Sequence, residues 1–362
     1  MRGINSLMAS LNHFLNWNNA RMECFSLMIL GLFSVRTVNL KEIAIGFKSK
    51  AQIDSRYRRL QRFFALFEID YPVIARWIFQ LFLKEKDKFY IIIDRTNWYW
   101  GKSKINVFML SIAYEGLAIP LFWTLLDKAG NSNFNEQKTL INQFIKTFGI
   151  KHIEGLLADR EFANGRFFQW LRKKKIYFYI RIKESSNVFT GKKKLFSAKK
   201  IFKYLNPKEK STFGMSVSIF GQNVFLSGAR SERGELMIVA SNAQIKNAIA
   251  IYLRRWEIEN LFKSLKTKGF RFEETHLIDL KRIKKLIAIL AIGFVWAHRI
   301  GEWLAKKKPI ILKNFKHQKR PQHTFFRYGL DFIREILLNS SLKTKQFRAC
   351  VSLISYASEV FV

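Results

Sequence analysis

The sequence predicts an α/β protein in which a mixed β-sheet is flanked by helices, with helical regions before and after it. Apolar residues follow helical spacing through about the first 85 residues, and β-branched runs then alternate with helical segments from Lys88 to about residue 188. Short strand-like runs separated by glycine and asparagine fill residues 189–244, and helical spacing returns from Ala248 onward. We therefore expect a sheet domain that carries an inserted β subdomain.

The composition indicates a folded protein with a polyanionic partner. Of the 362 residues, 49% are apolar and 25% are charged, which is ordinary globular usage. Lysine and arginine number 63 against 27 acidic residues, and the formal charge of +36 destabilises a compact chain unless a polyanion binds. We expect nucleic acid rather than a membrane, because the longest apolar run, residues 286–297, is shorter than the roughly 20 residues that span a bilayer.

The cysteines, the histidines and the N-terminus narrow the class of protein further. Cys24 and Cys350 are far apart in the sequence, so we expect two buried thiols and no disulfide. The six histidines lack the spacing of zinc sites, so any bound metal is expected on oxygen ligands. Residues 1–19 lack the basic start, apolar segment and cleavage site of a signal peptide, and we expect a cytoplasmic protein.

The N-terminal region contains a helix-turn-helix outline. Asn39 is positioned to cap a short helix over residues 40–47, a turn follows at residues 48–50, and a second helix is expected over residues 51–66. The second helix contains the stretch SRYRRLQRFF, whose basic residues are Arg56, Arg58, Arg59 and Arg62. The functional interpretation of these arginines is contact with DNA phosphates, and the alternative is a solvated basic face.

The predicted sheet begins at Lys88. A meander of three strands is indicated by the runs KFYIIIDRTNW, NVFMLSIAYEG and LAIPLFWTLL. Helix, strand, helix and strand then follow in the runs NEQKTLINQFIKTFG, IEGLLADREF, NGRFFQWLRKKK and IYFYIRIK. The order β-β-β-α-β-α-β builds a five-stranded mixed sheet with helices on both faces. Near the end of the chain, a basic segment at residues 306–320 leads to a helix expected over residues 325–338.

Two aspartates follow buried strands of this sheet. Asp94 comes directly after the run III, and Asp159 follows GLLA on the strand expected beside the first. A charge at such a place costs several kcal/mol unless something compensates it. Because ligands collect beyond strand ends in open sheets, both acids can converge on one point. The alternative is that each aspartate acts as a cap, and Asp159 is placed to cap the turn that follows it.

A third acid lies on a predicted helix, within YLRRWEIENLFKSLK. Tyr252, Arg255, Glu259 and Lys266 are spaced so that, at about 100° per residue, they share an arc of about 60° beside the apolar face. The alternative is a surface helix with i, i+4 ion pairs. Three carboxylates at one place suit Mg²⁺, which prefers oxygen ligands, and two such ions can promote an in-line phosphoryl displacement.

These residues match a known family: the sequence resembles bacterial insertion-sequence transposases of the DDE type, in particular the insertion-sequence-four group. The signature Y-x2-R-x3-E-x6-K is met at Tyr252, Arg255, Glu259 and Lys266, and the two acid motifs are met by IIIDRTNW and ADREF. The similarity covers about residues 88–270, and the helical N-terminus fits more loosely.

The resemblance implies an RNase H-like catalytic domain with a β insertion. It implies that Asp94, Asp159 and Glu259 bind two divalent ions, Mg²⁺ with Mn²⁺ as a substitute, and that Tyr252, Arg255 and Lys266 hold phosphates of the transposon end. Trp256 fits a role in stacking on a base. Family members that form a DNA hairpin use a tryptophan of the insertion. This sequence has no tryptophan between residues 189 and 242, and we expect Phe220 or Phe225 to take its place.

The resemblance also implies partners and a domain organisation. The expected bounds are a helical DNA-binding domain at 1–85, the catalytic domain at 86–188 and 245–300, the β insertion at 189–244, and a basic helical C-terminal region at 301–362. We expect an enzyme that cuts double-stranded DNA at the transposon ends and joins it to target DNA. We expect it to act as a homodimer on DNA, to be associated with the nucleoid and to bind no membrane. The alternatives are a non-catalytic DNA-binding regulator derived from a transposase and a hydrolytic nuclease of the same fold.

Overall fold

The computed structural model describes residues 2–47, 49–82, 87–190, 195–315, 318–339 and 342–355. Lys48, which is part of the predicted turn, lies outside the described residues. The chain forms two compact units. A helical unit comprises Met1–Lys84, Trp98–Ile105 and Phe262–Val362, and a sheet unit comprises Glu85–Asn97 and Asn106–Leu261.

The N-terminal part of the helical unit consists of helices, as the spacing of its apolar residues predicts. Their bounds are α1 (Arg2–Leu15), α2 (Asn19–Val35), α3 (Leu40–Ile45), α4 (Ile53–Leu66) and α5 (Tyr71–Phe82). The side chain of Asn39 accepts a hydrogen bond from the backbone N–H of Lys41, so the predicted cap is confirmed. α4 begins two residues later than predicted, after Gln52, and it buries Leu60, Phe63 and Phe64.

The central strands and helices of the sheet have the predicted order. The elements are β1 (Phe89–Trp100), β2 (Ser103–Tyr114), β3 (Leu117–Leu125), α6 (Phe134–Phe148), β4 (Ile153–Ala158), α7 (Gly165–Lys173) and β5 (Phe178–Ile182). All of them belong to the sheet unit except residues 98–105, where β1 ends and β2 begins. β1 and β2 are joined by the turn at residues 101–102, so they run antiparallel, as β2 and β3 do. β4 pairs in parallel with both β1 and β5. The strand order β3-β2-β1-β4-β5 is RNase H-like, and the predicted fold class is confirmed.

The inserted strands continue this sheet. Their bounds are β6 (Asn187–Phe189), β7 (Leu195–Ser197), β8 (Lys210–Thr212), β9 (Val217–Ile219), β10 (Gln222–Arg230) and β11 (Leu236–Ser241). β11 returns beside β5 and pairs with it antiparallel, with Ile238 opposite Ile182. β10 then pairs with β11, and the remaining inserted strands extend from β10. The insertion therefore shares the hydrogen-bonded sheet instead of folding apart from it.

The helix that carries the predicted third acid is interrupted. It consists of α8 (Ala248–Leu253), a single 3₁₀ turn at Arg254–Trp256, and α9 (Glu257–Leu265). Three residues at about 120° instead of about 100° turn the following side chains by roughly 60° more than a continuous α-helix would. The prediction of one continuous stripe is therefore wrong, and Lys266 lies just beyond the last residue of α9.

The C-terminal part of the helical unit is built around one long helix. The elements are α10 (Leu280–Lys307), β12 (Leu312–Phe315), β13 (Gln318–Pro321), α11 (Phe325–Leu338) and α12 (Thr344–Ser352). α11 has the predicted bounds, whereas the hairpin of β12 and β13 lies inside the segment predicted only as basic. α10 and α11 approach closely because Gly301 and Gly329 have no side chain, and a Cβ at either would collide with backbone of the other helix. In the described part of the chain, no helix has the length and apolar content needed to cross a bilayer.

Both cysteines are free and buried, as predicted. Burial raises the pKa of Cys24 to about 11 and that of Cys350 to about 12, from a usual 9.0. We therefore expect neither thiol to react with a disulfide reagent at pH 8 in the native protein, because the thiolate is the reactive form. Both should react once urea unfolds the chain. Native reaction at the rate of a small-molecule thiol would contradict this, and Cys24→Ser assigns each signal.

Candidate active site

Asp94 and Asp159 lie side by side at one edge of the parallel pair β1 and β4. The register of the two strands ends with Ile93 opposite Ala158, and each aspartate is the next residue. We expected Asp94 to follow the end of its strand, and this is wrong. β1 continues past Asp94 to Trp100 and forms one arm of a hairpin with β2. The side chain of Asp159 makes no capping hydrogen bond, so the alternative role of Asp159 as a cap is not observed.

The Asp94 carboxylate is largely buried, and its surroundings perturb it. Burial raises the pKa of Asp94 from 3.8 to about 6, against the lowering effect of Arg255. The carboxylate also accepts a hydrogen bond of 2.8 Å from the backbone N–H of Arg95. A carboxylate held in this way is typical of a functional site, because the protein has placed a charge where it is costly.

Arg255 joins two of the three predicted acids. Its Nη1 donates to Oδ2 of Asp94 at 2.9 Å, and its Nη2 donates to Oε1 of Glu259 at 2.6 Å. Arg255 is only 6% exposed, whereas the Glu259 side chain is 42% exposed. Among the described residues, the Nε of Arg255 has no hydrogen-bond partner. The guanidinium therefore supplies the positive charge that compensates the buried Asp94.

Tyr252 contacts the remaining acid. Its hydroxyl donates to Oδ1 of Asp159 at 3.4 Å, and its ring lies against the guanidinium of Arg255, whose Cζ is 5.9 Å from the ring centre. Burial raises the pKa of Tyr252, so its hydroxyl keeps its proton and remains a donor. Within the sheet unit, Tyr252 thus contacts Asp159 and Arg255 contacts Asp94, while Glu259 is joined to them through Arg255.

The 3₁₀ turn and α9 are held against the end of β2 and the turn that follows it. Arg254 donates to the backbone carbonyl of Ala113 at 3.1 Å and to Oε1 of Glu257 at 3.1 Å. Asn260 donates to the carbonyl of Gly116 at 3.0 Å. Burial raises the pKa of Glu257, and its pairing with Arg254 acts in the opposite direction. These contacts fix the start of α9 on the sheet, where Arg255 bonds both Asp94 and Glu259.

An ion pair that we did not predict joins the two acid motifs. Arg95 donates from Nε and Nη2 to the two carboxylate oxygens of Glu161 at 2.7 and 2.6 Å, which is a bidentate pair. Arg95 also donates to Asn106 and to the carbonyl of Gly130. The signal was present in the sequence, because Asp94 and Asp159 are each followed by a residue of this pair, in DR and in DRE. The pair cross-links the segments that carry the aspartates.

The other predicted contacts of the site are distributed as follows. Trp256 is 51% exposed, so its ring is free to stack. Phe220 is 46% exposed, and Phe225 is half-buried. In the helical unit, Lys266 donates to Glu273 at 2.7 Å and lies 5.0 Å from the ring centre of Trp98.

The four predicted arginines of α4 differ in their surroundings. The guanidinium of Arg56 donates to the backbone carbonyls of Ala51, Phe47 and Ser49, so it holds the connection between α3 and α4 together. Arg59 forms an ion pair of 2.7 Å with Glu23. Arg58 and Arg62 are exposed on the opposite side of the helix from its buried residues. Arg56 and Arg59 therefore use their charge within the fold, whereas Arg58 and Arg62 face solvent.

The acids provide a donor set suited to a hard divalent cation, because it contains carboxylates and neither sulfur nor imidazole. The described residues nevertheless include no three His, Cys, Asp or Glu side chains grouped closely enough to hold a metal ion. Asp94 and Glu259 are instead both within hydrogen-bond distance of Arg255. Metal binding by the three acids stays a prediction.

Comparison with known proteins shows what the chain is similar to. The family described as Transposase DDE domain matches residues 86–296. No curated protein matches the chain. A solved structure that resembles it is the cryo-EM structure of a piggyBac transposase synaptic complex with hairpin DNA, at 10% identity and a TM-score of 0.45. That alignment covers 100% of this chain and 84% of the other.

Proposed function

The chain belongs to the family of transposase DDE domains, and on that premise we propose that it is a cut-and-paste DNA transposase. It binds the inverted-repeat ends of its element, cleaves DNA strands there and transfers the 3′ ends to target DNA. We assign it to the insertion-sequence-four group, on the support of Tyr252, Arg255, Glu259 and Lys266 at the signature spacing.

One observation carries the proposal. Asp94 and Asp159 follow the last registered pair of two parallel strands, and Arg255 links the first of them to Glu259. An acid alone at a strand edge is often a cap, but Asp159 makes no capping hydrogen bond. The Arg255–Glu259 pair has the i, i+4 spacing of a surface ion pair, but Arg255 is buried and also bonds Asp94. Burying Asp94 has a free-energy cost that a purely structural site avoids, which supports a chemical role.

The proposed roles follow from these contacts. Asp94, Asp159 and Glu259 would hold two divalent ions, Mg²⁺ with Mn²⁺ as a substitute, which would supply the charge stabilisation for in-line displacement at a DNA phosphate. The resemblance implied phosphate contacts for Tyr252 and Arg255, but both are buried. We infer instead that Arg255 holds Asp94 and Glu259 in position and that Tyr252 orients Asp159 through its hydroxyl. The exposed ring of Trp256 stacks on a DNA base, and Lys266 contacts a phosphate.

The remaining assignments are part of the same proposal. Cutting two ends together requires two active sites, so the protein acts as a homodimer on double-stranded DNA. The helical N-terminal domain at 1–85 binds the ends, the catalytic domain comprises 86–188 and 245–300 with the insertion at 189–244, and residues 301–362 form the C-terminal region. The protein acts in the cytoplasm, on the nucleoid.

The test is a strand-cleavage and joining assay on DNA that carries the repeats flanking the reading frame. We expect nicking at the repeat ends and joining to a second duplex, both abolished by a chelator and restored by Mg²⁺ or Mn²⁺. Cleavage without joining would identify a hydrolytic nuclease of the same fold. Binding to the repeats without cleavage under any divalent ion would identify a non-catalytic regulator. Either result would overturn the proposed activity.

A further inference from the structure

A groove on the helical unit is lined by the exposed face of α4 and by the first turn of α10. α4 contributes Ser55, Arg58, Gln61 and Arg62, and α10 contributes Arg282. Arg58 and Arg62 are one helical turn apart, so their side chains lie on the same face of α4. Three guanidinium groups therefore line one concave surface, although they come from segments more than two hundred residues apart in the chain.

The charge of this groove is not neutralised within the described residues. The structure shows no ion pair and no hydrogen bond from the guanidinium of Arg58, Arg62 or Arg282 to any described residue. The contrast within α4 is direct, because Arg56 is bonded to backbone carbonyls and Arg59 to Glu23. The fold thus uses two arginines of the helix for itself and leaves the other two to face the groove.

The first turn of α10 adds positive charge where a helix disfavours it. α10 begins at Leu280 and has no acidic residue in its first turn, while Lys281 and Arg282 lie there and Lys284 follows. The N-terminus of a helix carries a partial positive charge, so cations in this turn are repelled and anions are attracted. Asp279 precedes the helix, and its carboxylate caps the backbone N–H of Arg282. This carboxylate offsets part of the repulsion, and a bound anion would add to that effect.

We propose that this groove, defined by Arg58, Arg62 and Arg282, binds the sugar–phosphate backbone of duplex DNA. The proposal rests on the proposed function and deepens it, because it says which surface of the helical unit holds the DNA and by which contacts. A guanidinium group can donate two parallel hydrogen bonds to the oxygens of one phosphate, a bidentate geometry that an ammonium group cannot form. Two of them on one face of α4, with a third from α10 in the same groove, fit a chain of phosphates better than a single free anion.

The groove is a phosphate site and not a reader of base sequence. Its charged lining consists of arginines that contact phosphates, and phosphate contacts position DNA without carrying sequence information. Arg56 and Arg59 do not line the groove, although they belong to the same basic stretch as Arg58 and Arg62. Arg282 does line it, although it is far away in the sequence. Binding through the groove should be equal on duplexes of unrelated sequence.

The experiment measures how duplex binding by the full chain depends on salt, by fluorescence anisotropy on two labelled duplexes of unrelated sequence. The test variant combines Arg58→Gln, Arg62→Gln and Arg282→Gln. We expect the slope of log K against log salt to become shallower by about 0.9 for each arginine removed, or about 2.7 in total, on both duplexes. Affinity near 0.1 M salt should fall at least about tenfold.

The matched control carries the same change in charge elsewhere on the helical unit, through Arg76→Gln, Lys345→Gln and Arg348→Gln. These side chains are exposed and do not line the groove, and this variant should keep the wild-type slope. Urea unfolding of both variants checks that the fold is intact. A wild-type slope in the groove variant, or an equal loss in the control variant, overturns the proposal. The proposal is also overturned if the groove variant loses binding to phosphatidylserine vesicles while its binding to DNA is unchanged.

The groove and the proposed activity can fail separately. Divalent-dependent cleavage and joining together with an unchanged slope in the groove variant would overturn the groove and leave the transposase assignment standing. A shallower slope in a protein that never cleaves would overturn the activity and leave the groove as a DNA-binding surface.

Discussion

Replacing any one of the three acids by its amide should abolish strand cleavage and leave DNA binding intact. We expect Asp94→Asn, Asp159→Asn and Glu259→Gln each to slow cleavage by at least about 10³-fold, equivalent to about 4 kcal/mol of lost transition-state stabilisation. The amides keep the volume and a hydrogen-bonding oxygen but lose the negative charge that a divalent ion requires. Cleavage is measured on DNA with the flanking repeats, and binding by anisotropy in Ca²⁺.

The control for this series is a carboxylate on the same strand outside the site. Glu154 lies on β4, is exposed, and is not among the contacts around Asp94 and Asp159. Glu154→Gln should therefore cleave like the wild type. If all three site variants cleave at the wild-type rate, the assignment of the acids is wrong. A loss of cleavage that is matched by a loss of binding would indicate a damaged fold instead.

Removing the Arg255 guanidinium should be among the most destabilising single changes in the sheet unit. In Arg255→Met, Asp94 remains buried with no counter-charge, which costs about 3–5 kcal/mol in comparable buried pairs. The loss should depend on pH. Because burial raises the pKa of Asp94 from 3.8 to about 6, the folded protein holds this proton more tightly than the unfolded chain does.

The sign of the pH effect follows from that difference in proton binding. The free energy of unfolding falls as pH rises through the window from about 4 to 6, since the unfolded chain releases the proton first. Without Arg255, whose charge lowers the pKa of Asp94, this window extends to higher pH. We therefore expect Arg255→Met to lose little of the free energy of unfolding at pH 5 and to show the full loss at pH 8. Both values are measured by urea unfolding in the presence of a chelator.

A second substitution isolates the cause. In the double variant Arg255→Met, Asp94→Asn no buried charge remains at this place, so most of the stability lost in the single variant should return at pH 8. Arg76→Met, an exposed arginine on α5, should change the free energy of unfolding by less than about 0.5 kcal/mol. A double variant as unstable as Arg255→Met would show that the unpaired Asp94 is not the source of the loss.

Local patterns in the sequence predicted the parts of the molecule that depend on neighbours in the chain. The cap at Asn39, the bounds of α11 and the burial of Cys24 follow from spacing and residue type over a few positions. The order of strands and helices around β1 to β5 was readable for the same reason. Asp94 and Asp159 were found because each ends an apolar run, which marks where a buried strand meets a polar edge.

The misses have a common physical origin. The continuation of β1 past Asp94 depends on its pairing with β2, and the return of β11 beside β5 depends on a strand pairing across an insertion. The 3₁₀ turn that interrupts α8 and α9 is accompanied by contacts of Arg254 with Ala113, far away in sequence. No periodicity within a segment records these partners.

The sequence by itself determined which residues carry charge at strand edges and on helix faces, because a period of two or 3.6 residues is a property of the local backbone. Only the tertiary structure decided which charges face one another. It joined Arg255 to Asp94 and Glu259, Arg95 to Glu161, and Arg282 to the arginines of α4. These meetings follow from the packing of segments far apart in the chain, and the energy of a buried charge depends on that packing rather than on its place in the sequence.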